Sequence, residues 1–161
     1  MAISDFPDTV RVIVEVPKGS RNKYEYDHDS ERIKLNRVLF SSVHYPADYG
    51  FIVDTLAEDG DEVDILVMIE EPTFPGCLMD AKPIGMLKMR DDKGVDNKVL
   101  AVPLHDPRWS PINDIHELPP HVLNEIENFF LTYKRLETKV VASDGWEDAI
   151  KAKEYLKASM T

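Results

Sequence analysis

The chain has 161 residues, of which 43% are hydrophobic, so it can form a globular domain with a substantial core and is not a disordered protein. Its formal net charge of −11 argues against a nucleic-acid partner, because a phosphate backbone binds basic surfaces. A small phosphate substrate stays open, since metals and local cations can dominate one site on an acidic protein. We find no repeat, linker or low-complexity segment and predict a single domain over residues 1–161.

The chain contains one cysteine, Cys77, so an intrachain disulfide cannot form. Its N-terminal segment, MAISDFPDTV, lacks the basic and apolar regions of a secretory signal. The longest strongly apolar run, residues 65–69, is far too short to span a bilayer. We therefore expect a cytoplasmic protein that does not associate with membranes.

The first two thirds of the chain predict short β-strands. Residues 10–16, VRVIVEV, alternate in the manner of a half-buried strand and are rich in β-branched side chains. Residues 41–51 indicate an ordered loop, because Pro46 and Gly50 read as breaks. The further strands are predicted at residues 23–27, 32–40, 51–55, 63–70, 82–89 and 98–104.

The last third of the chain predicts helices. After the prolines at 119–120, apolar residues recur at helical spacing over 122–133. Ser143 or Asp144 is expected to cap a second helix that runs to about Leu156. The side chains predicted to face inward from this helix are Trp146, Ala149 and Ile150. Strands followed by two helices indicate an α+β fold, and we expect a small closed OB-like β-barrel with two C-terminal helices packed on it.

The segment EDGDEVDI, residues 58–65, crowds carboxylates together at Asp59, Asp61 and Asp64. Two like charges about 4 Å apart repel by roughly 4 kcal/mol near a protein surface, so a fold that holds them together is expected to supply a cation. Carboxylate oxygens favour Mg²⁺, Mn²⁺ or Ca²⁺. The alternative is an ordinary solvated hairpin turn around Gly60. Asp64 favours the metal site, because it falls inside a predicted apolar strand, where a turn requires no acid.

A second acidic loop, residues 90–97, joins two predicted strands and carries Asp91, Asp92 and Asp96. Two such loops at strand ends of one barrel can face the same mouth. Cations and tyrosines are scattered among the other strands and loops, at Lys23, Arg37, Lys88, Lys98, Lys134, Tyr45, Tyr49 and Tyr133. Acids that hold metals, together with cations and phenols that hold phosphate oxygens, describe a metal-assisted phosphoryl-transfer site.

These motifs resemble the soluble family I inorganic pyrophosphatases over nearly the whole chain, from about Val10 to Ala158. Residues 59–65 match the family signature D-x-D-x-x-D and its apolar flank at every position. The other matching motifs are V-E-V-P at 14–17, K-Y-E at 23–25, Y-P-x-x-Y-G at 45–50, D-x4-D-x-K at 91–98 and F-F-x-x-Y-K at 129–134. One departure is Asn36, where an acidic residue often precedes the arginine.

The resemblance implies hydrolysis of pyrophosphate to two orthophosphates by a metal-activated water, with several Mg²⁺ ions per subunit and Mn²⁺ or Zn²⁺ as substitutes. It implies that Asp61 accepts the proton of that water and that Tyr49 and Arg37 are also catalytic. The implied metal ligands are Asp59, Asp64, Asp91 and Asp96. The implied substrate ligands are Lys23, Arg37, Tyr49, Lys98, Tyr133 and Lys134. The residues implied to support them are Glu15, Glu25 and Tyr45. Resemblance to the short prokaryotic members also implies a homohexamer.

Two binding proteins are the alternatives to an enzyme. A small OB-like barrel can bind oligonucleotides, but the charge of −11 argues against that function. A structural Ca²⁺-binding protein would use the acidic loops and leave Arg37, Lys98 and Lys134 without a role. The five histidines show no metal-ligand spacing.

Overall fold

Nine strands and two α-helices make up the computed structural model of the protein, which describes residues 5–161. The strands are β1 (Val10–Val16), β2 (Asn22–Asp27), β3 (Arg32–Val38), β4 (Asp48–Ile52), β5 (Asp64–Val67), β6 (Leu78–Asp91), β7 (Gly94–Val95), β8 (Lys98–Pro103) and β9 (Ala142–Asp148). The helices are α1 (Pro120–Thr132) and α2 (Ala149–Ser159), with short 3₁₀ turns at Ile115–Glu117 and Arg135–Glu137. Residues 1–4 of the predicted domain lie outside the described part, so its full extent stays a prediction.

The main sheet closes on itself. Its strands follow the order β1-β4-β5-β8-β6, and β6 pairs back with β1, so five strands form a ring. Strands β5 and β8 run parallel, whereas the other pairs are antiparallel. Strands β7 and β9 extend β6 outside the ring. The α+β fold with a closed sheet is therefore confirmed, whereas β2 and β3 form a separate two-stranded hairpin.

The buried apolar residues form two clusters, one between the barrel and α1 and one that includes most of the buried residues of β1 and Leu156 of α2. Strand β1 buries every second residue, as its alternation predicts, and β8 is buried throughout because it lies between β5 and β6. Helix α1 begins with Pro120, which suits a first helical turn, and packs Ile126, Phe129 and Phe130 against the barrel. Neither helix in residues 5–161 is long and apolar enough to cross a membrane.

The prediction for the second helix is wrong at its start. Residues 142–148 form β9, which pairs with β6, and Gly145 there has a positive φ of 92° that is incompatible with a helix. The helix cap is Asp148, whose carboxylate accepts the backbone N–H of Lys151 at 3.0 Å. Trp146 therefore lies on a strand, and Ile150 is 67% exposed instead of facing inward.

The loop predicted at 41–51 ends earlier than expected, because β4 already begins at Asp48. Gly50 reads as a break in the sequence but lies inside the strand. A Cβ atom at this position would lie 2.0 Å from the carbonyl oxygen of Ile13. The glycine therefore permits the close approach of β1 to β4, and does not end a strand.

Candidate active site

One cavity of about 340 Å³ collects both acidic loops, at the end of the barrel where β5 and β8 begin and β6 ends. The predicted site residues that line it are Glu15, Lys23, Glu25, Tyr49, Asp59, Asp61, Asp64, Asp91, Asp96, Lys98, Tyr133 and Lys134. The structure therefore brings together residues that lie more than a hundred positions apart in the sequence. Their individual roles stay predictions at this point.

The first acidic loop is a tight turn that precedes β5. Its conformation is fixed by local hydrogen bonds: the N–H of Asp61 donates to Asp59 Oδ1 at 3.0 Å, and the N–H of Ala57 donates to the carbonyl of Asp61 at 2.7 Å. Gly60 takes a φ of 90°, which glycine adopts without strain. Asp64 is the first residue of β5, so a strand and not the turn places its carboxylate.

A buried lysine lies at the centre of the site. The parallel pairing of β5 with β8 sets Asp64 opposite Lys98, which is only 3% exposed. Lys98 Nζ lies 2.7 Å from Asp64 Oδ2 and 3.0 Å from Asp96 Oδ2, and it donates to the Tyr49 hydroxyl at 3.0 Å. Burial lowers the pKa of Lys98, but Asp64, Tyr49 and Asp96 outweigh it and hold this pKa well above the ordinary value. The ammonium therefore stays charged and offsets part of the acidic charge.

Two carboxyls in the cavity, those of Asp61 and Glu15, have a raised pKa. Burial raises the pKa of Asp61, and the charges of Asp59 and Glu62 raise it further. Burial raises the pKa of Glu15 to about 7, against the effect of a backbone hydrogen bond from β2, and the charge of Asp64 adds to the rise. The environment of these two carboxyls therefore disfavours their negative charge.

The cavity has the donor chemistry of a site for hard divalent cations. Carboxylate oxygens from both loops line it, and these are the ligands that Mg²⁺ and Mn²⁺ prefer. In residues 5–161, no set of three or more acidic, histidine or cysteine side chains already converges on one metal position. Asp64 and Asp96 contact Lys98 instead. The four predicted metal ligands, Asp59, Asp64, Asp91 and Asp96, are among these carboxylates, and their role stays a prediction.

Two predicted site residues do not line the cavity. Arg37 lies at the base of the hairpin, where its Nε is 2.9 Å from Glu137 Oε1 in the turn after α1. Tyr45 is 1% exposed and lies behind the cavity wall, with its ring centroid 5.3 Å from that of Tyr49 and 4.7 Å from that of Phe129. Tyr45 therefore packs against the back of the cavity wall, and Arg37 forms an ion pair outside the cavity.

Five further residues line the cavity and are absent from the sequence predictions: Tyr26, His28, Phe51, Glu62 and Lys93. Glu62 and Lys93 belong to the two acidic loops, so their position in those loops was a usable signal. The other three come from the hairpin and from β4. No motif or spacing marks them, because their place in the wall depends on how the hairpin packs on the barrel.

We expect the substitution Glu15→Gln to stabilise the metal-free protein at neutral and alkaline pH. A carboxyl whose pKa is raised in the folded state lowers the free energy of unfolding once it is ionised. This destabilisation is absent below about pH 4.5 and complete above about pH 7. A shift of this size corresponds to about 3 kcal/mol at most. Glutamine keeps an oxygen that can accept the N–H of Tyr26, which Glu15 accepts at 2.8 Å.

The measurement is chemical denaturation in chelator at pH 4 and pH 8. The matched control is Glu70→Gln, which makes the same change at an exposed position. Equal stabilities of wild type and Glu15→Gln at pH 8 would contradict the raised pKa. If Glu15→Gln is more stable than wild type by the same free energy at pH 4 and pH 8, the stabilisation comes from packing and not from the removed charge.

Comparison with known proteins identifies the family. The family model described as inorganic pyrophosphatase matches residues 12–161. An inorganic pyrophosphatase of Methanosarcina mazei is 54% identical over 145 residues, which cover 90% of this chain and 86% of the relative. One of Haloferax volcanii is 50% identical and covers 96% of this chain and 88% of its own length.

Solved structures agree with the sequence comparisons. The crystal structure of inorganic pyrophosphatase from Thermus thermophilus superposes with a TM-score of 0.96 at 46% identity, covering 99% of this chain and 93% of that one. These matches confirm the predicted family and favour the enzyme over the two binding-protein alternatives. The chain therefore belongs to the inorganic pyrophosphatase family, and its activity is the metal-dependent hydrolysis of pyrophosphate.

Proposed function

We propose that the cavity at the mouth of the barrel is the active site for pyrophosphate hydrolysis, with Mg²⁺ as the working metal. The observation that carries the proposal is that five aspartates and four lysines line one cavity: Asp59, Asp61, Asp64, Asp91, Asp96, Lys23, Lys93, Lys98 and Lys134. The aspartates offer hard oxygen ligands, and the lysines offer positive charge to the phosphate oxygens. Substrate and metal therefore find complementary partners in the same space.

Asp59, Asp64, Asp91 and Asp96 are the residues proposed to hold the metal ions. When bound, divalent ions neutralise phosphate charge and make a coordinated water more acidic. Mn²⁺ and Zn²⁺ are proposed substitutes, since both accept carboxylate ligands. The ion pairs of Lys98 with Asp64 and Asp96 leave the second oxygen of each carboxylate for a metal.

Asp61 is proposed to accept the proton of the attacking water. In this step the water oxygen bonds to one phosphorus, the bond from that phosphorus to the bridging oxygen breaks, and the electron pair leaves with the second phosphate. The raised pKa of Asp61 supports the role, because a general base works best when its pKa lies closer to the operating pH.

Side chains from four parts of the chain are proposed to bind the phosphate oxygens: Lys23, Tyr49, Lys98, Tyr133 and Lys134. Arg37 is proposed as a sixth ligand and would offer a two-pronged guanidinium. Its ion pair with Glu137 engages Nε at 2.9 Å, so the guanidinium keeps further N–H donors on its Nη atoms. Glu15, Glu25 and Tyr45 are proposed to hold these ligands in place; Glu25 Oε1, for example, lies 2.6 Å from Lys23 Nζ.

We also propose that the protein works in the cytoplasm as a homohexamer. A single copy leaves several large apolar side chains exposed, including Phe40 at 60%, Leu136 at 67% and Val140 at 83%. Apolar surface of this kind is typically covered where subunits meet. The only other partner proposed is pyrophosphate, and no nucleic-acid partner is proposed because the chain is strongly acidic.

The expected result in a direct assay is phosphate release from pyrophosphate that requires a divalent cation. The purified protein is incubated with pyrophosphate and Mg²⁺, Mn²⁺ or Zn²⁺, and a parallel sample contains excess chelator. Full activity in chelator would contradict the metal requirement. Inactivity with all three metals would contradict the assignment of the cavity as a pyrophosphatase site.

A further inference from the structure

The hairpin of β2 and β3 carries groups that the proposed function needs, but it does not belong to the barrel sheet. Lys23 lines the cavity from β2, and Asp59, Asp61 and Glu62 line it from the acidic loop that precedes β5. In the described part of the chain, the sheet topology gives neither hairpin strand a partner in the main sheet. Strand pairing with the main sheet therefore does not set the position of Lys23 relative to the acidic loop, and other contacts of the hairpin do.

His28, just beyond the end of β2, makes one of these contacts at the tip of the hairpin. Its Nε2 lies 2.7 Å from Glu62 Oε1 in the acidic loop. Its ring also meets Tyr26 edge-on at 4.9 Å between centroids and lies 5.8 Å from Phe51 of β4. All four side chains line the cavity, so this contact closes the wall between the hairpin and the acidic loop.

A second contact holds the hairpin from the side of the barrel. The N–H of Tyr26 donates to Glu15 Oε2 of β1 at 2.8 Å. This hydrogen bond fixes β2 against the barrel but does not reach the acidic loop. The contact of His28 with Glu62 adds that link, because it joins the hairpin directly to the loop that carries Asp59 and Asp61.

We propose that His28 is a positioning residue, which with Glu62 clamps the hairpin onto the acidic loop and so sets the distance between Lys23 and the aspartates of that loop, Asp59 and Asp61. The inference rests on the proposed role of Lys23 as a phosphate ligand. The clamp acts before substrate arrives, so its loss weakens binding of substrate and transition state alike. Such a change raises KM and leaves kcat nearly unchanged.

We expect a small change of KM, because the side chains of His28 and Glu62 are partly exposed to solvent. His28 is 59% exposed and Glu62 is 27% exposed at the side chain, and contacts of this kind are individually weak. We expect His28→Ala to raise KM for pyrophosphate roughly two- to fivefold, with kcat changed by less than about 1.5-fold. The melting temperature is expected to stay within error of wild type.

Two substitutions of Glu62 distinguish the effect of losing the contact with His28 from the effect of losing the negative charge of Glu62. Glu62→Ala and Glu62→Gln remove the same negative charge near the proposed metal ligands, but only glutamine keeps an oxygen that can accept an imidazole N–H. At saturating Mg²⁺, we expect Glu62→Ala to raise KM as much as His28→Ala does and Glu62→Gln to restore most of the loss. The double variant His28→Ala/Glu62→Ala is expected to match either single variant, since both remove one contact.

Three results would overturn the clamp: an unchanged KM for His28→Ala, equal KM values for Glu62→Ala and Glu62→Gln, or a double variant whose KM change is the product of the single changes. The control is His116→Ala, which removes an exposed histidine 3.8 Å from a carboxylate outside the cavity. The variant Lys23→Ala distinguishes a failure of the clamp from a failure of the proposed role of Lys23 as a phosphate ligand. A raised KM for Lys23→Ala with a silent His28→Ala rejects the clamp alone, whereas a silent Lys23→Ala rejects the proposed role of Lys23.

Discussion

Asp64→Asn is expected to reduce kcat/KM for pyrophosphate by about 10²-fold or more, the loss typical when one group that stabilises the transition-state charge is removed. Asp64 is the proposed metal ligand that β5 places at the centre of the site, and Lys98 Nζ contacts its Oδ2 at 2.7 Å. Asparagine keeps the volume and one oxygen that can accept from Lys98. The substitution therefore removes charge with little change of shape, and we expect a higher Mg²⁺ concentration for half-maximal activity.

Asp92→Asn is the matched control for this experiment. Asp92 lies in the second acidic loop, but it is exposed, does not line the cavity and matches no family motif position. Its substitution makes the same chemical change and is expected to leave kcat/KM within about twofold of wild type, as for most surface changes. Equal losses in the two variants would contradict the assignment of Asp64 and would point to the total charge of the acidic loops.

Much of the fold was predictable because the spacing of apolar residues in the sequence agrees with the residues that the fold buries. The alternation in β1 matches its burial residue by residue, and the apolar spacing before Tyr133 matches the face of α1 that packs on the barrel. The segment 142–148 was misassigned because its Ser-Asp pair resembles a helix cap. Its actual conformation depends on β6, a partner more than fifty residues away, and local pattern carries no information about that pairing.

The candidate site was predictable to the extent that its residues lie in motifs. The site residues of the acidic loops, of β8 and of the end of α1 occur at fixed spacings within motifs. The closed barrel brings these motifs to one cavity. The positions of Arg37 and His28 were not predictable in the same way. Each is placed by a contact with a distant carboxylate, Glu137 for Arg37 and Glu62 for His28, and such pairs leave no spacing in the sequence.

The pH dependence of kcat is expected to separate Asp61 from Asp59. Asp61 is the proposed general base, whereas Asp59 is a proposed metal ligand. Asp61→Asn is expected to lower kcat by about 10²–10⁴-fold, the usual contribution of a positioned base, and to leave the Mg²⁺ requirement nearly unchanged. Without the base, the reaction needs more hydroxide from solution. The activity of Asp61→Asn is therefore expected to peak at a higher pH than that of wild type.

Asp59→Asn provides the comparison within the same turn. Its Oδ1 accepts the N–H of Asp61 at 3.0 Å, and asparagine keeps an oxygen for this hydrogen bond, so the turn itself should be retained. We expect weaker metal binding, partial recovery of activity at high Mg²⁺ and no alkaline shift of the pH optimum. The measurement is kcat against pH for both variants at saturating Mg²⁺, with a Mg²⁺ titration at the optimum of each. If Asp61→Asn instead recovers with Mg²⁺ and keeps the wild-type pH optimum, Asp61 is a metal ligand and the base is another residue.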